Sequence, residues 1–169
     1  AADTNVGDPV ADAYRASDAL VGEVIPKLRP EDVLLVMSDH GFTSFKRNVD
    51  LNRWLEQEGY LVRCPNASGR DYLMDIDWDR TRAYAFGLSG IYINLKGRES
   101  KGIVTPAERQ ALKKEIAGKL SLLRDPKSNE TPIRAVYDNE EVYTGPYRDN
   151  GPDLIVGYQQ GYRVSWETA

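Results

Sequence analysis

Apolar positions along residues 12–28 recur at helical spacing. Tyr14, Val21, Val24, Ile25 and Leu28 share roughly one face with Ser17 and Asp18, the i, i+3, i+4, i+7 pattern of an amphipathic helix. Asp8-Pro9 supplies a start signal, and Pro26 and Pro30 limit the other end. Residues 33–37 (VLLVM) are apolar without interruption, which predicts a strand buried on both faces that stops at Ser38-Asp39-His40-Gly41. Residues 50–59 predict a short helix closed by Gly59, and 60–62 a brief strand. Residues 65–70 read as a polar loop, and 82–86 with 90–95 as a hairpin around Gly87-Leu88-Ser89. Residues 94–102 read as a polar connection. Thr105-Pro106-Ala107-Glu108 opens a helix whose apolar face is Leu112, Ile116, Leu120 and Leu123. Residues 133–137 and 154–156 predict strands, with a turn-rich connection at 140–147. Strands alternate with helices, so the class is α/β, with a mixed, mainly parallel sheet flanked by helices.

Composition narrows the function. Hydrophobic residues make up 41% of the 169 and charged residues 28%, a balance that supports a packed core. The longest apolar run, 33–37, is far short of the roughly 20 residues a membrane helix needs, so no membrane span is expected. The net charge of −4 lacks the broad basic field of a nucleic-acid binder, and no nucleic-acid partner is expected. One cysteine, Cys64, excludes an internal disulfide framework and a Cys-rich zinc module. It has no imidazole near it in sequence, which argues against a reactive thiol. His40 is the only histidine, so a mechanism needing two imidazoles is not complete within this chain.

Ser38-Asp39-His40-Gly41 sits where an apolar run ends, the position at which open α/β sheets place their ligands. An adjacent carboxylate and imidazole can converge on one metal if the backbone turns, and Gly41 permits the turn. Aspartate oxygen with histidine nitrogen suits Zn²⁺, with Mn²⁺ or Fe²⁺ also served. On these four residues alone a second reading stands beside it, with Asp39 capping a turn and His40 a hydrogen-bonded loop residue.

The flanks extend the pattern. VLLVMSDHGF at 33–42, NVDLNRWL at 48–55 and EGYL at 58–61 resemble the type I phosphodiesterase/nucleotide pyrophosphatase branch of the alkaline phosphatase superfamily. GIYINLKGRE at 90–99, GIV at 102–104, GPDLIVGY at 151–158 and GYR at 161–163 are similar to the same branch, in the same order. The resemblance implies an alkaline phosphatase-like fold and hydrolysis of a small phosphate ester or nucleotide-like substrate through a phospho-enzyme. It implies two metal ions, about 4 Å apart, clamping the attacking and leaving oxygens. Asp39 and His40 match the Asp-His pair that shares one metal with a Thr or Ser nucleophile. The second metal's Asp-x-x-x-His motif and a later histidine have no counterpart here, and neither does the nucleophile. The chain is therefore expected to be a single incomplete catalytic domain over 1–169, central to C-terminal, with one Asp39–His40 half-site for a divalent metal. Weak metal binding and no turnover by the chain alone are expected. Self-association through an exposed sheet edge is also expected. Sister activities of the superfamily (phosphomonoesterase, sulfatase, phosphoglycerate mutase) and a non-catalytic binding module are the alternatives.

Lys46, Arg47 and Arg53 follow the motif, and Arg98 and Lys101 follow the hairpin. Each is either a contact for an anionic substrate or part of a solvated face. Asp75, Asp77 and Asp79 lack the glycine and bidentate glutamate of a calcium loop and read as a polar loop face. Tyr137, Tyr143, Tyr147, Tyr158 and Tyr162 crowd the C-terminal part and read as core and sheet-rim packing.

Overall fold

A computed structural model describes residues 7–65 and 73–165. The expected polar loop at 65–70 falls, Pro65 apart, outside the described residues. The chain forms two compact units, one up to Phe42 and one from Thr43.

In the first unit, helix α1 spans Pro9–Val24. Asp8 caps it, accepting a hydrogen bond from the Ala11 N–H at 3.0 Å, and proline at the first turn has no N–H to leave orphaned. The helix ends one residue short of the 3-10 turn Ile25–Lys27, which contains Pro26. No residue of α1 is buried, and Tyr14 on its apolar face is 76% exposed.

The strand expected at 33–37 does not form. The backbone there pairs with no described strand, and Val33, Leu35, Val36 and Met37 are between 69% and 90% exposed. The reason is physical. Apolar side chains state a preference for a two-sided sheet, but a strand exists only where a neighbouring strand takes up its N–H and C=O groups.

The second unit holds the core. Strand β1 (Arg47–Val49) leads into α2 (Leu51–Gln57), which Asp50 caps by accepting from the Arg53 N–H at 2.9 Å. Gly59 closes α2 at φ +77°, with Gly59 N–H on the Glu56 carbonyl and Tyr60 N–H on that of Leu55. These two bonds make a Schellman cap, which requires a left-handed residue where the glycine stands. The brief strand expected at 60–62 is instead irregular. Its Tyr60 carbonyl accepts from Arg82 and Ala83, while an isolated bridge joins Arg63 to Ile76.

Strands β2 (Ala83–Phe86) and β3 (Gly90–Ile93) form the expected hairpin, with Phe86 opposite Gly90. Thr105 opens α3 (Pro106–Ser121) with a capping box, its N–H donating to Glu108 Oε2 at 2.9 Å. Strand β4 (Ile133–Asp138), the one-turn helix α4 (Asn139–Val142), β5 (Leu154–Tyr158) and β6 (Tyr162–Val164) complete the order. Antiparallel pairing joins a four-stranded sheet in the order β2-β3-β5-β4, and parallel pairing joins β1 to β6. The class is mixed α/β, as the sequence predicts. Helix α3 lays Leu112, Ile116 and Leu120 against the core, each at most 1% exposed and each contributing on the order of 1.5–3 kcal/mol of burial.

Candidate functional site

Asp39 and His40 lie in the first unit, in the irregular segment that follows 33–37. Ser38 Oγ donates to the His40 carbonyl at 2.5 Å, tightening the turn. His40 Nδ1 lies 3.0 Å from the Gly41 carbonyl, which can only accept, a contact that suits the tautomer with the proton on Nδ1 and Nε2 as the ligating nitrogen. That Nε2 is 3.4 Å from Asp39 Oδ2. Metal–ligand bonds of about 2.0–2.1 Å at a tetrahedral angle would set two donors roughly 3.4 Å apart, so this spacing fits two corners of a zinc shell. The His40 ring also meets Phe42 edge-on, with centroids 5.3 Å apart. The donor chemistry and spacing therefore fit a divalent metal. Both side chains are open to solvent, Asp39 at 86% and His40 at 61%. Among the described residues no third histidine, cysteine or carboxylate joins them in a cluster.

The cationic candidates divide in the second unit. Lys46 reaches Glu130 at 3.7 Å, and Lys101 reaches Asp79 at 3.6 Å. Arg98 is bound up within the protein. It is largely enclosed, its Nη2 held at 2.6 Å by Asp153 and at 2.7 Å by the Ile93 carbonyl, its Nε at 2.8 Å by Glu99. Arg47 and Arg53, by contrast, line one open cleft together with Arg124.

Asp153 is the polar residue that sequence reasoning passed over. It is fully buried, yet its carboxylate accepts from Arg109 Nε at 2.6 Å, Arg98 Nη2 at 2.6 Å and the Ile93 N–H at 2.7 Å. Two arginines and a sheet amide satisfy the charge that burial would otherwise penalise. The Gly151-Pro152-Asp153 turn marked the position, but its partners stand far off in sequence. Asp75, expected on a polar loop face, is buried at 2% exposure, whereas Asp77 and Asp79 pair with Arg80 and Lys101. Tyr84 and Tyr92 stack with centroids 5.4 Å apart, and burial pushes the Tyr84 hydroxyl up to about 12.

Two further carboxylates make stability pH-dependent. The Lys127 N–H, with the Tyr162 hydroxyl and Arg47, outweighs burial and holds Asp125 below its ordinary 3.8. Burial pushes Asp138 up, yet fully buried Lys113, 2.6 Å away, with the Glu140 N–H and Gln110 brings it below 3.8 as well. A carboxylate held down in the folded state stabilises it above the unfolded value, and that contribution is lost as pH falls through the folded value. Urea unfolding should therefore show a plateau above about pH 5 and a steep loss once pH drops below 3.8. A midpoint unchanged at pH 3 would contradict the assignment.

Among the described residues no helix is long and apolar enough to cross a membrane. The model of the family described as type I phosphodiesterase/nucleotide pyrophosphatase matches residues 3–167. Comparison with curated proteins and with solved structures finds no match. The mixed α/β architecture is consistent with an alkaline phosphatase-like fold, and the family match spans every stretch that carried the sequence resemblance. The chain thus belongs to the type I phosphodiesterase/nucleotide pyrophosphatase family, whose members are hydrolases of phosphate esters and are generally metal-dependent.

Proposed function

We propose that this chain supplies the Asp39–His40 half of a divalent-metal site in an enzyme that hydrolyses phosphodiester or nucleotide pyrophosphate bonds, with zinc the best-suited metal and manganese an alternative. The observation that carries the reading is the pairing of Asp39 Oδ2 and His40 Nε2 at 3.4 Å within a chain of this family. Asp39 brings the negative charge that offsets a dication. His40 binds as neutral imidazole, a tautomer that the Gly41 carbonyl on the opposite nitrogen suits. The metal, when bound, supplies Lewis-acid stabilisation of phosphoryl charge and activates an oxygen nucleophile. The second metal's histidines would come from outside this chain, since His40 is its only imidazole. Phosphomonoester, sulfate-ester or phosphoglycerate mutase chemistry would use the same pair, as would a binding module that has lost turnover.

Turnover by the protein as its gene encodes it separates these readings. With zinc or manganese present, bis(p-nitrophenyl) phosphate should be hydrolysed faster than p-nitrophenyl phosphate or p-nitrophenyl sulfate. A preference for the monoester or the sulfate would move the protein to a sister activity. No hydrolysis of any of the three would favour the binding module.

A further inference from the structure

We propose that the cleft between α2 and the loop after α3 binds a phosphate monoester, meaning a dianionic phosphate carried on a small planar or apolar body. The cleft belongs wholly to the second unit, so the assignment does not rest on the metal reading of Asp39 and His40. Its volume is about 290 Å³, near the lower end for small-molecule sites.

Three arginines from separate elements line it, Arg47 from β1, Arg53 from α2 and Arg124 from the loop after α3, against two carboxylates, Asp50 and Asp125. The lining therefore carries one more cation than anion, and an anionic ligand in the cavity is attracted by that excess. The carboxylates beside them are already engaged. Asp50 caps α2 through the Arg53 N–H, and buried Asp125 accepts from Arg47 Nε at 2.6 Å, the Tyr162 hydroxyl at 2.9 Å and the Lys127 N–H at 2.9 Å. The arginines themselves are engaged only in part. Arg47 uses Nε, Arg53 uses Nη1 on Glu56 at 3.1 Å, and Arg124 uses Nη1 on the Thr131 hydroxyl. Each guanidinium carries five N–H donors, and among the described residues these bonds use one donor of each.

The rest of the lining selects the body. Val49, Trp54, Leu123, Pro126 and Pro132 form apolar wall, while Asn48 and Gln57 add amide groups at the rim. A bare anion would leave that wall in water, whereas a monoester with a flat body covers it. Guanidinium forks match phosphate oxygens in pairs, and a dianion answers more of the three charges than a carboxylate does.

Calorimetric titration of the intact chain tests the site, in EDTA and at low ionic strength where screening is weak. Phenyl phosphate should bind with one-to-one stoichiometry, more tightly than inorganic phosphate or benzoate. Arg53→Ala/Arg124→Ala removes two exposed arginines and leaves the pair of half-buried Arg47 with buried Asp125 in place, so the melting temperature should hold. Its affinity for phenyl phosphate should fall at least about tenfold, as expected for lost charge-assisted forks. Arg53→Lys/Arg124→Lys, which keeps charge without the fork, should fall between the two. Undetectable binding to the intact chain, or equal binding by the alanine variant, would overturn the site. Binding lost in Asp39→Ala/His40→Ala would overturn it too. Inorganic phosphate binding as tightly as phenyl phosphate would overturn the monoester assignment.

Discussion

Replacing Asp153 with alanine is expected to cost about 3–5 kcal/mol of folding stability, because one deletion takes a shared partner from two arginines in a protein interior. Asp153 is fully buried, and the side chains of Arg98 and Arg109 are 18% and 14% exposed. Neither arginine can shed its proton; Arg98 keeps Glu99 and the Ile93 carbonyl, while Arg109 is left with Asp149 at 3.5 Å and an unanswered buried charge. The Ile93 N–H loses its acceptor as well. Asp153→Asn keeps the volume and one acceptor oxygen while removing the charge, so it should be destabilising but less so than alanine. Against a typical total of about 5–15 kcal/mol, the alanine change removes a large fraction of what holds the domain folded. Urea unfolding of the three proteins measures the difference. A cost below about 1 kcal/mol for Asp153→Ala would show that the arginines are solvated without their partner.

The second large effect is expected at Asn52. Its side chain donates to the Ala85 carbonyl at 2.9 Å and accepts from the Ala85 N–H at 2.7 Å, with both residues buried. Ala85 lies on β2, the edge strand of the four-stranded sheet. The amide of Asn52 stands where the next strand would be and meets both of Ala85's backbone groups at once. Asn52→Ala leaves an N–H and a C=O buried and unpaired, at about 1–3 kcal/mol each. A loss of roughly 2–5 kcal/mol follows. Asn52→Leu, which keeps the branching at Cγ without the polar atoms, should recover little of it. Recovery to the parent stability would mean that side-chain packing, and not the pair of hydrogen bonds, is what Asn52 contributes.

These two residues also mark where sequence reading stops. The helices α2 and α3 and the β2–β3 hairpin were legible because their signals are local. Thr105, Pro106 and Glu108 form a box within one turn, and Gly59 ends a helix by its own backbone freedom. Asn52 looks like any polar residue in a helix until Ala85 is placed beside it. Asp153 looks like a turn residue until Arg98 and Arg109 close on it. The parallel pair of β1 and β6 has three residues per strand, too few for a period to show, and their pairing joins distant parts of the chain. The strongest strand pattern of all, 33–37, failed as a strand for the complementary reason. Its side chains carry the apolar signal, but no described strand supplies the hydrogen bonds.

The candidate site was legible as residue types. Asp39 and His40 stood out as adjacent donors after an apolar run, and the structure brings Oδ2 and Nε2 within 3.4 Å of each other. What sequence could not convey is their openness. Ligands that are mostly solvated and number two are poorly organised in advance, and that predicts weak affinity.

Titration of zinc and of manganese into the chain by calorimetry, beside Asp39→Ala/His40→Ala, tests the metal assignment most directly. The account predicts weak one-to-one binding that disappears in the double variant. Binding undiminished in the double variant, or no binding by the intact chain, would contradict it.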